Sequence, residues 1–120
     1  FKDSNRCEDT VAPIVELQAH SAPLGLTFYD GKMFPAQYQG DLLIAYHGSW
    51  NRSVPTGYKV VRVKMKDGQP GDVEDFAYGW MTATKKIGRP VDVLVGDKGE
   101  LYISDDLGGT IYIVTSKVEN

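Results

Sequence analysis

The sequence predicts an all-β protein that forms part of a β-propeller, and three observations carry that prediction. Apolar residues recur with a period of 2 along short runs rich in Val, Ile, Tyr and Phe. Gly, Asp and Pro punctuate those runs at short intervals. One strand–turn–strand pattern then occurs twice along the chain. A propeller blade is a small antiparallel sheet, and roughly four to eight blades close a ring. The pattern here spans about two blades, the second incomplete.

Taken in order, strands are predicted at about 14–19, 24–29, 41–47, 57–65, 72–77, 91–95, 100–104 and 110–115. Val61, Val63 and Met65 share one face of their strand and Arg62 and Lys64 the other. Leu101 and Ile103 alternate with Tyr102 and Ser104 in the same way. Asp30-Gly31, Asp67-Gly68 and the run Gly96-Asp97-Lys98-Gly99 supply the turns, because Gly accepts positive φ and Asp caps a turn. Residues 1–12 show no pattern and are read as a loose lead-in to a propeller part spanning 13–120. The connection 79–90 has room for a short helical turn.

The two units align at Asp30 with Asp97 and at Gly57 with Gly109, offsets of 67 and 52, because the first unit has longer loops. The first unit has four strands, with 72–77 outermost, and the second has three. In a closed ring, a segment from elsewhere in the full chain would supply the missing strand.

Composition excludes several other classes. Thirteen Lys and Arg against 16 Asp and Glu give a formal charge of −3, so no basic surplus points to nucleic acid. A chain 42% hydrophobic and 24% charged reads as globular and not disordered. Its longest apolar runs, such as Leu42–Tyr46, are far shorter than the roughly 20 residues of a membrane-spanning helix. Cys7 is the one cysteine, which excludes an internal disulfide and a cysteine-based zinc site. The start has no signal-peptide pattern and no Met, and reads as a mature product or a piece cut from a longer chain.

Strand order also sorts the loops. In an antiparallel meander, successive connections fall at alternate ends of the sheet. Segments 30–41, 66–72 and 96–99 share one end and are turn filler. Segments 20–23, 47–57, 79–90 and 105–109 share the other. That second end gathers both histidines, both tryptophans, Arg52, Arg89, Lys85, Lys86, Asp105 and Asp106. Functional loops commonly cluster on one end of a rigid scaffold.

Within it, His47-Gly48-Ser49-Trp50-Asn51-Arg52 brings together an imidazole, a flat aromatic and a guanidinium. Such a set can stack a planar ligand and pair its carboxylate. It also fits a long loop whose Trp packs on a neighbouring blade. Asn51-Arg52-Ser53 matches a short glycosylation pattern. Arg89 enters the innermost strand of the second unit and needs an anion, either a protein carboxylate such as Asp92 or a ligand. His20 reads as a hydrogen-bonded structural residue. Asp105-Asp106 reads as a solvated acidic turn more readily than as a calcium site. No nucleophile motif, phosphate loop or paired-carboxylate spacing stands out.

At these residues the chain resembles the glucose/sorbosone dehydrogenases. The run from His20 to Tyr29, then Phe34-Pro35, Tyr38-Gln39-Gly40, the His47–Arg52 stretch and Gly57–Val60 carry the resemblance. Gly88–Val93 and Gly99–Asp106 continue it, so it covers roughly residues 13–115. It implies the C-terminal portion of a six-bladed propeller that binds pyrroloquinoline quinone (PQQ) and oxidises aldoses or related sugar aldehydes. It also implies a periplasmic or secreted enzyme with an external electron acceptor, and admits calcium bound mainly outside these residues. His47, Trp50, Asn51, Arg52 and Arg89 are the expected cofactor-binding residues.

The resemblance implies no catalytic base and no metal ligand here, because the family's His base lies on an earlier blade. The chain departs from the soluble glucose dehydrogenase branch in two places. Arg89-Pro90-Val91 stands where that branch has an Arg-x-Arg pair, and no Lys accompanies Trp50–Arg52. Both departures favour the sorbosone-type branch. The rival readings are a non-catalytic propeller module and a metal-dependent lactonase-type propeller. Two blades alone would leave apolar faces open, so this chain by itself is expected to be inactive and a poor independent folder.

Overall fold

The computed structural model describes residues 9–117, so Cys7 and most of the expected lead-in lie outside the described residues. The described residues contain seven strands and no α-helix. Strands β1 (Pro23–Phe28), β2 (Leu42–Tyr46), β3 (Lys59–Lys66) and β4 (Gln69–Tyr78) form one antiparallel meander in sequence order. Strands β5 (Pro90–Val95), β6 (Leu101–Asp105) and β7 (Thr110–Val114) form a second, three-stranded one. The antiparallel order and the division into a four-stranded and a three-stranded unit read from the sequence therefore hold, and seven of the eight expected strands are present among the described residues.

The two sheets pack face to face around Tyr29, Leu43, Ala45, Tyr58, Val60, Trp80, Val93, Leu101 and Ile103, all buried. Branched and aromatic side chains fill this layer because the alternation along β2, β3 and β6 turns them to one side. The sheets approach closely at Gly25, where a Cβ would fall 1.9 Å from the Asp92 carboxylate. Ile44, Tyr46, Val61 and Val63 form a second buried cluster on the other face of the first sheet, against Val15 and Leu17.

Two expectations are corrected, and one expected face holds an unexpected burial. Residues 14–19 form no strand: Ile14 lies in a bend and Ala19 in a turn. Val15 and Leu17 alternate because they pack on the β2–β3 face, and no ladder partner runs beside them. The 79–90 connection is not helical: Met81 and Lys86 form an isolated bridge, and the Thr82 N–H donates to the Lys85 carbonyl at 2.9 Å. Arg62 lies opposite Val61 and Val63 as predicted, but it is buried. Its guanidinium pairs with buried Asp41 at 2.5 Å and with Glu74 at 2.8 Å, and lies 4.0 Å from the Tyr38 ring centroid.

The segregation of loops holds as well. At the filler end, the Tyr29 hydroxyl donates to the Gly99 carbonyl at 2.8 Å and accepts from the N–H groups of Met33 and Phe34. That single side chain ties the 30–41 and 96–99 loops together. The opposite end holds the remaining loops.

Candidate functional site

The long loop between β2 and β3 starts from a fixed stem. The N–H groups of His47, Gly48 and Ser49 donate to the carbonyls of Ala22, Ser21 and Thr56 at 3.0, 2.9 and 2.8 Å. Ser49 Oγ accepts the Thr56 N–H at 3.0 Å and so closes the loop on itself. The stem is tight enough to require glycine. Gly48 has φ +100°, and a Cβ on it would meet the Tyr58 ring at 2.6 Å. Gly57 has φ +88°, and a Cβ there would strike the Gly48 backbone at 2.6 Å. His20, Ala22 and Tyr58 also hold positive φ, each at a cost of about 1–3 kcal/mol. Strain of this kind concentrates where a loop is held in one working shape.

Beyond the stem the tip is free. Trp50 is 84% exposed, and Asn51 and Arg52 are exposed beside it. Trp50 is not buried against either sheet of the described residues. Trp50, Asn51 and Arg52 line an open pocket of about 510 Å³ together with His20, Ala22, Gly48 and Ser49. The pocket offers an indole face, a guanidinium, an amide and an imidazole to one ligand.

Arg89 and His47 sit elsewhere. Arg89 Nε donates to the His47 carbonyl at 3.0 Å and Nη2 to the Gly48 carbonyl at 2.5 Å. Its guanidinium carbon lies 5.4 Å from the Tyr58 ring centroid. Asp92 is not the partner of the Arg89 guanidinium and instead accepts the Val93 N–H at 2.9 Å. His47 Nε2 lies 2.9 and 3.1 Å from the two Asp106 carboxylate oxygens. A carboxylate only accepts, so Nε2 carries the hydrogen.

Asp105 and Asp106 divide in role. Asp106 is the solvated partner of His47. Asp105 is buried, which corrects its reading as part of a solvated turn. It accepts the N–H groups of Arg89 and Gly108, each at 2.8 Å, and the Tyr112 hydroxyl at 3.1 Å. Burial pushes its carboxyl up, but these donors and the Leu107 N–H outweigh that and hold it below the ordinary aspartate value.

Of the five residues expected at the site, the pocket thus brings together Trp50, Asn51 and Arg52. The side chains of His47 and Arg89 are not among its lining residues and are bonded instead to Asp106 and to the His47 and Gly48 carbonyls. His20, read from sequence as structural, lines the pocket. Its place before the first inner strand, at the same end as the 47–57 loop, was the available signal. Trp80 shares that end but is buried, stacking edge-on against Tyr112 at 5.4 Å.

An all-β pair of meanders with functional side chains gathered at one end defines a modular β-sheet enzyme or binding domain. A TrAA12-like family model matches residues 1–117, and the chain belongs to that family. It is 44% identical over 107 residues to an uncharacterized protein of Borreliella burgdorferi, an alignment covering 87% of this chain and 28% of that protein. It is 29% identical over 126 positions to the pyrroloquinoline quinone-dependent pyranose dehydrogenase of Coprinopsis cinerea, covering 88% of this chain and 16% of the enzyme. A calcium structure of a Trichoderma reesei carbohydrate-active enzyme of family AA12 superposes with a TM-score of 0.73 at 25% identity. That superposition covers 88% of this chain and 27% of the Trichoderma one. The relationship to PQQ-dependent sugar dehydrogenases read from the sequence is borne out, and the chain spans less than a third of the length of these relatives.

Proposed function

We propose that these residues form the cofactor-facing end of a six-bladed propeller, the C-terminal part of a PQQ-dependent sugar dehydrogenase. One observation carries the proposal: an exposed indole, amide and guanidinium from three consecutive residues surround one open pocket on a rigid stem. The cofactor is a planar tricarboxylate, and such residues suit one wall of its site. Trp50 offers a flat face, Arg52 a charged fork for a carboxylate, and Asn51 and His20 further hydrogen bonds. When bound, PQQ supplies an ortho-quinone for two-electron oxidation of a sugar. This chain's residues bind and orient it. The proton acceptor is assigned to neither His20 nor His47, because it belongs on a part of the propeller beyond these residues. Calcium binding, an external electron acceptor and a periplasmic or secreted location belong to the same proposal. No helix among the described residues is long and apolar enough to cross a membrane.

The test is reconstitution of the protein with PQQ and calcium, followed by sugar-dependent dye reduction. Titrating PQQ should quench Trp50 emission, and W50F should abolish most of that quench. Tight binding of a protein or glycan without dye reduction would favour the binding module. Divalent-metal-dependent hydrolysis of lactones without PQQ would favour the lactonase.

A further inference from the structure

The stem and tip of the 47–57 loop differ sharply in how their backbone is held. All six backbone polar groups of His47, Gly48 and Ser49 are bonded. Their N–H groups go to Ala22, Ser21 and Thr56. Two of their carbonyls go to Arg89 and the third to the Tyr58 hydroxyl. Trp50, the first tip residue, follows directly and is exposed. Only one of these partners, Arg89, comes from the second sheet. It is anchored there by its own N–H, which donates to buried Asp105. The His47–Asp106 pair makes a second link between the same sheets.

We propose that Arg89 is a positioning residue, a brace from the second sheet that fixes the approach of Trp50–Arg52 to their ligand through the His47 and Gly48 carbonyls. The proposal rests on the PQQ reading for the ligand but not for the brace. An Arg that bound a cofactor carboxylate would point its fork at the pocket. Here Nε and Nη2 are spent on adjacent carbonyls, a two-point grip that needs a planar fork. A lysine keeps the charge but has a single nitrogen on a flexible stem and cannot reproduce that grip. Asp106 supports the brace from outside the stem, where its loss costs little folding stability.

The experiment compares wild type with R89K, R89Q and D106N, with and without PQQ. Without cofactor, hydrogen exchange at the amides of residues 47–49 should quicken about tenfold or more in R89K and R89Q, and less in D106N. Exchange in β2 and β6 should stay as in wild type, which separates a loosened loop from a misfolded chain. With PQQ, R89K should bind about as weakly as R89Q, and Trp50 quenching at saturation should fall in both. Unchanged exchange at 47–49 in both Arg89 variants would overturn the proposal. So would near-wild-type PQQ affinity in R89K beside a large loss in R89Q, since that pattern marks a charge on the cofactor itself. If wild type binds no PQQ, the functional reading fails while the exchange comparison still decides the brace.

Discussion

Replacing Asp105 separates the geometry of its carboxylate from its charge. The side chain is buried, and three of its donors lie at ordinary hydrogen-bond distance: Oδ1 takes the Arg89 and Gly108 N–H groups, and Oδ2 takes the Tyr112 hydroxyl. In D105A all three lose their acceptor. A buried orphan costs about 1–3 kcal/mol, and three that share one edge and regain some water should cost about 3–5 kcal/mol together. In D105N the amide oxygen can keep both N–H donors while the hydroxyl turns to accept from the amide. Loss should then be about 1 kcal/mol. The acid response follows by sign. Asp105 titrates lower in the folded protein than in the unfolded chain. Its stabilisation is present above the unfolded value and is lost as pH falls through the folded one, so D105N should flatten that acid limb. Urea unfolding at low protein concentration measures both effects, read by Trp80, which stacks on Tyr112 beside the site. A D105A loss under 1 kcal/mol, or a D105N loss as large as that of D105A, would refute the reasoning.

Three further outcomes are expected. G48A should cost about 2–3 kcal/mol in the same urea assay, because its Cβ would collide with the Tyr58 ring at an already positive φ. R62A should cost about 3–5 kcal/mol by leaving buried Asp41 without a counter-charge, with only the Met65 N–H still donating to it, and the double change R62M/D41L should recover most of it. Leu94, Ile111 and Ile113 are exposed on the second sheet. The isolated 120-residue chain should therefore self-associate as its concentration rises, and I111K/I113K should suppress that in sedimentation velocity.

Strand order was legible because the code for it is local. Period-2 alternation and Asp-Gly turns each depend on neighbouring residues, and together they placed the loops at the correct ends. The misses share a different cause. Val15 and Leu17 alternate like a strand, yet alternation reports only which side chains are buried and not whether a backbone partner runs alongside. Alternation puts Arg62 on the face of Lys64 but says nothing of its burial, which depends on Asp41, 21 residues earlier in the chain. Strand order placed Arg89 at the end of the 47–57 loop, where it lies, but which acceptor its fork meets depends on how one sheet sits against the other. Trp50–Arg52 needed no such knowledge, because a loop tip has few neighbours to consult.

Two of the ties between the sheets grip main-chain atoms. At one end Tyr29 holds the carbonyl of Gly99, and at the other Arg89 holds the carbonyls of His47 and Gly48. A carbonyl is present whatever residue bears it. The scaffold is thus blind to the identity of the tip, and Trp50, Asn51 and Arg52 can be exchanged without loosening either tie. Ligand preference and architectural integrity are separately adjustable on this end of the molecule, which makes the three tip positions a natural place to retune what the pocket accepts.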